Sequence, residues 1–210
     1  MPTLEKPPEP APPIAKRLSP EASRLLALEA ARLLLIDTGP QAVTLKAVAS
    51  RVGRTHANLL HHFGSASGLQ RALAEYLTKK VCVTIGDAVA RTQGGEMPPR
   101  QLADIIFNSF DQEGAGQLAC WMLLSGNEDA LNPIVDTIHA LVDDISEDGH
   151  DDAPLHELTL EIVLLALGDS LMGGPLSASL GLSRDTGRQI AERRFAQALA
   201  EQQEKKEAKD

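Results

Sequence analysis

The apolar positions of this chain recur at the three- and four-residue spacing of helices, and seldom at the alternating spacing of strands. The first run, Ala27, Leu28, Ala31, Leu34 and Leu35, shares one face and stops at Gly39-Pro40, a helix-ending pair. Ser19-Pro20-Glu21 marks its start: serine caps, proline suits the first helical position, and glutamate suits the positive end of the helix dipole. A second, short helix opens at the N-cap Thr44 and covers Leu45 to Arg51, with Leu45, Val48, Ala49 and Val52 on its apolar side. Gly53 allows a tight turn, and a third short helix begins near Thr55 and ends near His62. Ser65 or Ser67 caps a fourth, whose positions Leu69, Leu73, Leu77, Val81, Ile85 and Val89 predict one long element reaching Thr92. Gly94-Gly95 and Pro98-Pro99 break it.

Rougher patterns predict later helices over about 99–112, 115–125, 131–147, 154–173 and 183–206. The stretch from Pro154 to Met172 is apolar nearly all round, so burial on more than one side is expected. Its small residues Gly168, Ser170, Gly173 and Gly174 permit close helix approach. The final helix sets Ile190, Phe195, Ala198 and Leu199 on one side, and the charge run Glu201 to Asp210 is expected to fray. The expected fold is all-α, with about nine helices and no internal repeat. Residues 1–15, with six prolines, read as a disordered arm; 16–65 as an N-terminal three-helix helix-turn-helix domain; 66–210 as a C-terminal helical domain.

Charge sharpens this division. The chain of 210 residues carries a net charge of -9, which by itself argues against a nucleic-acid partner. From Lys16 to Lys80, however, ten Lys/Arg face four Asp/Glu, a net +6, whereas the chain after Lys80 is net -14. A basic head on an acidic body is the footprint of a nucleic-acid-binding head. Hydrophobic residues at 43% suffice for a core, and the 3% of aromatics leave Ala and Leu dominant, which favours helix. Cys82 and Cys120, in a chain without a secretory signal, are expected to be buried small hydrophobes of a cytoplasmic protein, and no apolar run reaches a membrane span.

The run from Thr44 to Phe63 has the layout of a helix-turn-helix, in which a short helix braces a second across a glycine turn and the second enters the major groove. Ala49 is small where the helices cross, and Val52 with Leu59 or Leu60 would wedge the pair onto the first helix. Gly39, Thr44, Val48-Ala49, Gly53, His62-Phe63 and Leu69 together make this segment resemble the N-terminal domain of the TetR (tetracycline repressor) family, over about residues 25–77. The resemblance implies a DNA-binding domain, a helical ligand-binding and dimerisation body, and a homodimer whose two recognition helices face successive major grooves of a palindromic operator, ~34 Å apart. Two positions depart from the family: Leu60 stands where a phosphate-contacting Tyr is common, and Ala66 where a Lys is common.

By position, Thr55, His56, Asn58 and His61 face outward on the third helix, Asn58 suiting a bidentate pair with an adenine edge. Thr44 suits a phosphate or serves only as a cap, as does Thr55. Lys46, Arg54 and the Lys16-Arg17 arm supply cations for the phosphate backbone. For His62 a structural or solvent-facing role is expected. In the body, Phe107, Phe110, Trp121, Met122, Ser125 and His139 are candidate lining residues for a small-molecule effector.

Enzyme chemistry finds little support. Asp136-x-x-His139 has metal-ligand spacing, with His156 and Glu161 a loose echo, but the paired Glu-x-x-His units of a helical di-iron site are absent. There is no Cys-x-x-Cys, phosphate loop or Gly-x-Ser-x-Gly. No catalytic residue, metal or cofactor is expected, and the acidic His150-Asp151-Asp152 loop reads as solvated. The sequence thus points to a ligand-responsive DNA-binding regulator, a repressor by resemblance, with double-stranded DNA, a small-molecule effector and a second copy of the chain as partners and no membrane. The alternative is a helical small-molecule sensor or interaction module that has lost specific DNA binding.

Overall fold

Ser19 accepts a hydrogen bond from the Ala22 amide at 3.1 Å, and Pro20 occupies the first turn that follows, so α1 (Pro20–Thr38) begins where its capping chemistry dictates. The structure, a computed structural model, describes residues 19–125, 131–146 and 153–208. The proline-rich arm, Lys16 and Arg17, the His150-Asp151-Asp152 loop and the last two residues of the charged tail lie outside that range.

A 3-10 turn over Pro40–Ala42 separates α1 from α2 (Leu45–Arg51), and α3 (His56–Phe63) follows. Gly53 takes φ +64 between α2 and α3, a left-handed conformation that most side chains resist, so the two helices turn across it within four residues. The body is built from α4 (Ala66–Gln93), α5 (Pro99–Asp111), α6 (Ala115–Leu124), α7 (Asn132–Ile145), α8 (Ala153–Ser179) and α9 (Thr186–Glu207). Among the described residues these nine helices are the fold, with no strand. The all-α expectation and the order of the elements are borne out.

Two apolar cores share α4. The first gathers Leu28 and Leu35 of α1, Val48 of α2, Leu59 and Phe63 of α3, and Leu69, Leu73 and Leu77 of α4, and it also takes in Leu118 and Met122 of α6. The second joins Ala88 of α4 to Leu102, Ile106 and Phe107 of α5, Ile162 and Ala166 of α8, and Ala191 and Phe195 of α9. Because α4 runs through both and α6 reaches into the first, the body and the seat of α3 are joined by contiguous packing. Gly114 tightens that seat. It holds φ +74 at the start of α6, and a Cβ there would lie 3.1 Å from two carbons of Leu35.

α8 differs from the expectation drawn from its composition. It continues through Pro175 to Ser179, and within one chain it is not buried on several sides: only Ile162, Ala166 and Gly173 are buried. Leu160, Leu164, Leu171, Met172 and Leu176 are exposed. By length and mean hydropathy, 1.4 over its most apolar window, α8 is apolar enough to cross a membrane, a test that the core helix of a soluble protein also passes. Its polar groups tie it to the body instead. Arg194 of α9 lies 2.9 Å from Glu161, and Asp169, with its side chain only 8% exposed, takes Arg184 from the α8–α9 turn at 2.6 Å.

Candidate nucleic-acid interface

α3 has one face committed to the core. Leu59 is 1% exposed and Phe63 is buried beside it, while the adjacent Leu60 is 43% exposed. That settles which leucine is the wedge: Leu59 anchors and Leu60 looks outward. With the anchors fixed, helical spacing turns His56, Ala57 and His61 to solvent beside Leu60, and leaves Asn58 half-buried at the edge. Thr44 and Thr55 both act as N-caps, accepting from the Ala47 and Asn58 amides at 3.2 Å. Both residues are exposed, so each hydroxyl keeps its hydrogen for a further partner.

A clamp that sequence spacing does not reveal holds the far end of α3. Arg24 of α1 donates to the carbonyl of His62 at 3.0 Å, and its guanidinium lies 4.7 Å from the centre of the Phe63 ring. This fixes α3 at its C-terminal end as Thr55 does at its start, and it gives the half-buried His62 a backbone role. No local signal marks a pairing across 38 residues.

The cations divide into two kinds. Arg51 is spent on Asp37 at 2.9 Å. Lys46 and Arg54 are exposed and have no ion-pair partner among the described residues. Lys46 stands on α2 and Arg54 in the turn before α3, and both are available to a phosphate backbone. At the start of α4 the exposed Ser65, Ala66 and Ser67 replace a cation by hydroxyls, Ser65 accepting from the Gly68 amide at 2.9 Å.

The body holds a cavity of about 320 Å³ walled by all six of its helices. Ala74, Leu77 and Leu118 line it and also belong to the first core, so the cavity wall and the seat of the helix-turn-helix share residues. Of the sequence-derived lining residues, Phe110 borders the cavity. Phe107 lies in the second core with Arg188 stacked 5.4 Å from its ring centre, Met122 is fully buried in the first core, and Trp121 packs partly buried against that core. Ser125 is exposed. His139 stands on α7 beside Asp143 at 3.3 Å, and His156 approaches the same carboxylate at 3.8 Å. Sequence reasoning passed over the α4 and α7 walls, Val81, Ile85 and Ile138 among them, because apolar residues at helical spacing look the same whether they face a neighbour or a void.

Among the described residues no three metal-ligating side chains come together, and Glu161 is held by Arg194. Cys82 is buried, which pushes its thiol up, and Cys120 is half-buried; both are free.

The sequence profile of the bacterial regulatory proteins of the tetR family matches residues 27–73, the span from α1 into α4 that carries this geometry. Over those residues the chain is similar to the tetR family. The matched span holds the helix-turn-helix, and its likeness is to the segment of that name in bacterial regulatory proteins. No curated protein sequence matches it. Solved structures similar to it share the fold across most of its length at low identity. A multidrug-binding protein, EbrR, solved with imidazole, is 16% identical over 81% of this chain and 93% of its own, with a TM-score of 0.58. A TetR-family regulator structure from Mesorhizobium loti is 14% identical over 88% and 98%, at 0.53. One from Pectobacterium atrosepticum is 17% identical over 89% and 94%, at 0.51.

Proposed function

We propose that the protein is a ligand-responsive repressor that binds a palindromic operator as a homodimer. The observation that carries the reading is the division of α3: one face buried on Leu59 and Phe63, the other presented to solvent, with two unspent cations, Lys46 on α2 and Arg54 in the turn before α3. In this reading residues 16–65 are the DNA-binding domain, and 66–210 bind ligand and dimerise. Thr44, Thr55, His56, Asn58 and His61 face the duplex, Asn58 reading a base edge, and Lys16 and Arg17 add phosphate contacts from the arm.

The dimer rests on α8. Leu160, Leu164, Leu171, Met172 and Leu176 form an exposed apolar stripe, with Gly168 leaving open space between them. A stripe of this extent in water calls for a partner, and two copies of α8 with α9 make a four-helix bundle that places the two heads as a pair. Ligand response rests on Ala74, Leu77 and Leu118, which a molecule in the cavity would touch and which also seat α3. A cytoplasmic location goes with this function.

A second reading, a sensor that has lost specific DNA binding, draws support from Leu60. It puts an exposed apolar side chain on the outer face of α3, where the family favours a phosphate-contacting Tyr. A gel shift on the DNA upstream of the protein's own gene separates the two. The repressor reading expects a discrete shift at low salt that fades as salt rises; no shift at low salt supports the sensor.

A further inference from the structure

The cavity is unusual in what it omits. Among the described residues its wall contains no Asp, Glu, Lys, Arg or His. Three of the four hydroxyls that reach it, all but that of Thr159, donate their hydrogens to the backbone: Thr78 to the Ala74 carbonyl at 2.8 Å, Thr92 to Ala88 at 2.7 Å and Ser109 to Ile105 at 2.8 Å. Each retains only lone pairs toward the cavity, so these groups accept a hydrogen bond but cannot neutralise an anion. The amides in the wall, Gln93 and Gln202, lie toward the C-terminal ends of α4 and α9. The remainder is aliphatic and aromatic, with Val81, Ile85, Ile106, Phe110, Ile138 and Phe195 meeting from four helices.

We propose that the effector is an uncharged lipophile, a chain or ring hydrocarbon bearing at most a hydroxyl or other neutral polar group, and that the cavity rejects carboxylates and ammonium ions of the same size. This rests on the reading of the cavity as a ligand site and specifies its chemistry. A charged head entering this wall loses its hydration and finds no side chain of opposite charge. A neutral hydroxyl finds Thr or Ser lone pairs to accept its hydrogen. The cavity's volume sits at the small end of the range for ligand sites, which favours a compact molecule or a short chain over a large multi-ring one.

The test uses the whole protein and the neutral fluorophore N-phenyl-1-naphthylamine, displaced by 1-decanol, decanoate or decylammonium at pH 7.4. Probe fluorescence rises on binding, and decanol displaces it at concentrations more than about tenfold below either charged analogue. Decanoate gains about tenfold in apparent affinity for each pH unit of acidification toward its own pKa, because only its neutral acid enters, while decanol does not change. Val81→Trp and Ile138→Trp fill the cavity from α4 and from α7; the one that keeps native helicity by circular dichroism loses probe binding. Decanoate or decylammonium competing as well as decanol at pH 7.4 overturns the ligand class and leaves the cavity as a ligand site. Full probe binding in a folded variant, or no probe binding by the unaltered protein, overturns the ligand-site reading itself.

Discussion

Tyr76 on α4 donates its phenolic hydrogen to the carboxylate of Glu29 on α1. Arg32, one turn along α1, holds the same carboxylate at 2.8 Å and reaches Glu113, just before α6, at 2.9 Å. Four side chains therefore join α1, which supports the head, to α4 and to the segment before α6. Tyr76→Phe removes the donor and leaves the ring, and a charge-assisted bond of this kind contributes about 1–3 kcal/mol. Urea unfolding is expected to show a loss in that range; an unchanged midpoint would mean the bond adds nothing.

The same network predicts acid sensitivity. Tyr76 and then Arg32 hold the Glu29 carboxyl below its ordinary range by hydrogen bonding. Arg100 does the same to Asp185, and at Asp104 partial burial pushes upward but the hydrogen bonds from Arg100 and Arg188 prevail and lower it. Carboxyls that ionise more readily folded than unfolded stabilise the fold fully above their unfolded values, and that contribution fades as pH falls through the folded ones. Thermal midpoints should stay level from about pH 7 to 5 and fall below about pH 4. Glu29→Gln should remove part of the fall. A midpoint that rises on acidification contradicts the assignment.

Leu59 is the anchor that turns the outer face of α3 to solvent. Leu59→Ala is expected to cost about 2–5 kcal/mol, the range for a buried leucine truncated in a packed core. Leu60→Ala, on the exposed face, should change stability by less than about 0.5 kcal/mol. Denaturant melts of the pair compare them directly, and equal losses would mean that α3 is seated differently.

The α8 stripe makes the oligomer a sharp test. Leu164→Lys puts a charge on the exposed apolar face and leaves the core residues Ile162 and Ala166 untouched. Sedimentation equilibrium should show dimer for the unaltered chain and monomer for the variant, with operator affinity falling alongside. A monomeric unaltered protein would remove the proposed dimer.

Much of this was legible in the sequence because local physics decides it. Ser19-Pro20, Thr44 and Thr55 are caps by their chemistry, and each starts its helix where the sequence places it. The charge contrast and the Thr44–Phe63 run located the head. What the sequence could not supply is long-range or depends on a surface not present in one chain. Leu59 and Leu60 are neighbours with the same composition, and only the packing of α3 onto α1 and α4 separates anchor from outer face. Arg24 finds His62 only in three dimensions. α8 reads as a core helix because its apolar residues surround it, yet one chain covers only its Ile162–Ala166 side. The cavity is invisible for a related reason: periodicity says that Val81 and Ile138 point inward, not whether anything meets them there.

The most direct test of the outward-facing α3 is fluorescence anisotropy at one fixed salt concentration, comparing the DNA upstream of its gene with a scrambled duplex of equal length. The account predicts binding to the first at least about a thousandfold tighter. Asn58→Ala should shrink that ratio, whereas Arg54→Ala should weaken both duplexes alike. Equal affinity for the two duplexes, unaffected by either substitution, would contradict it.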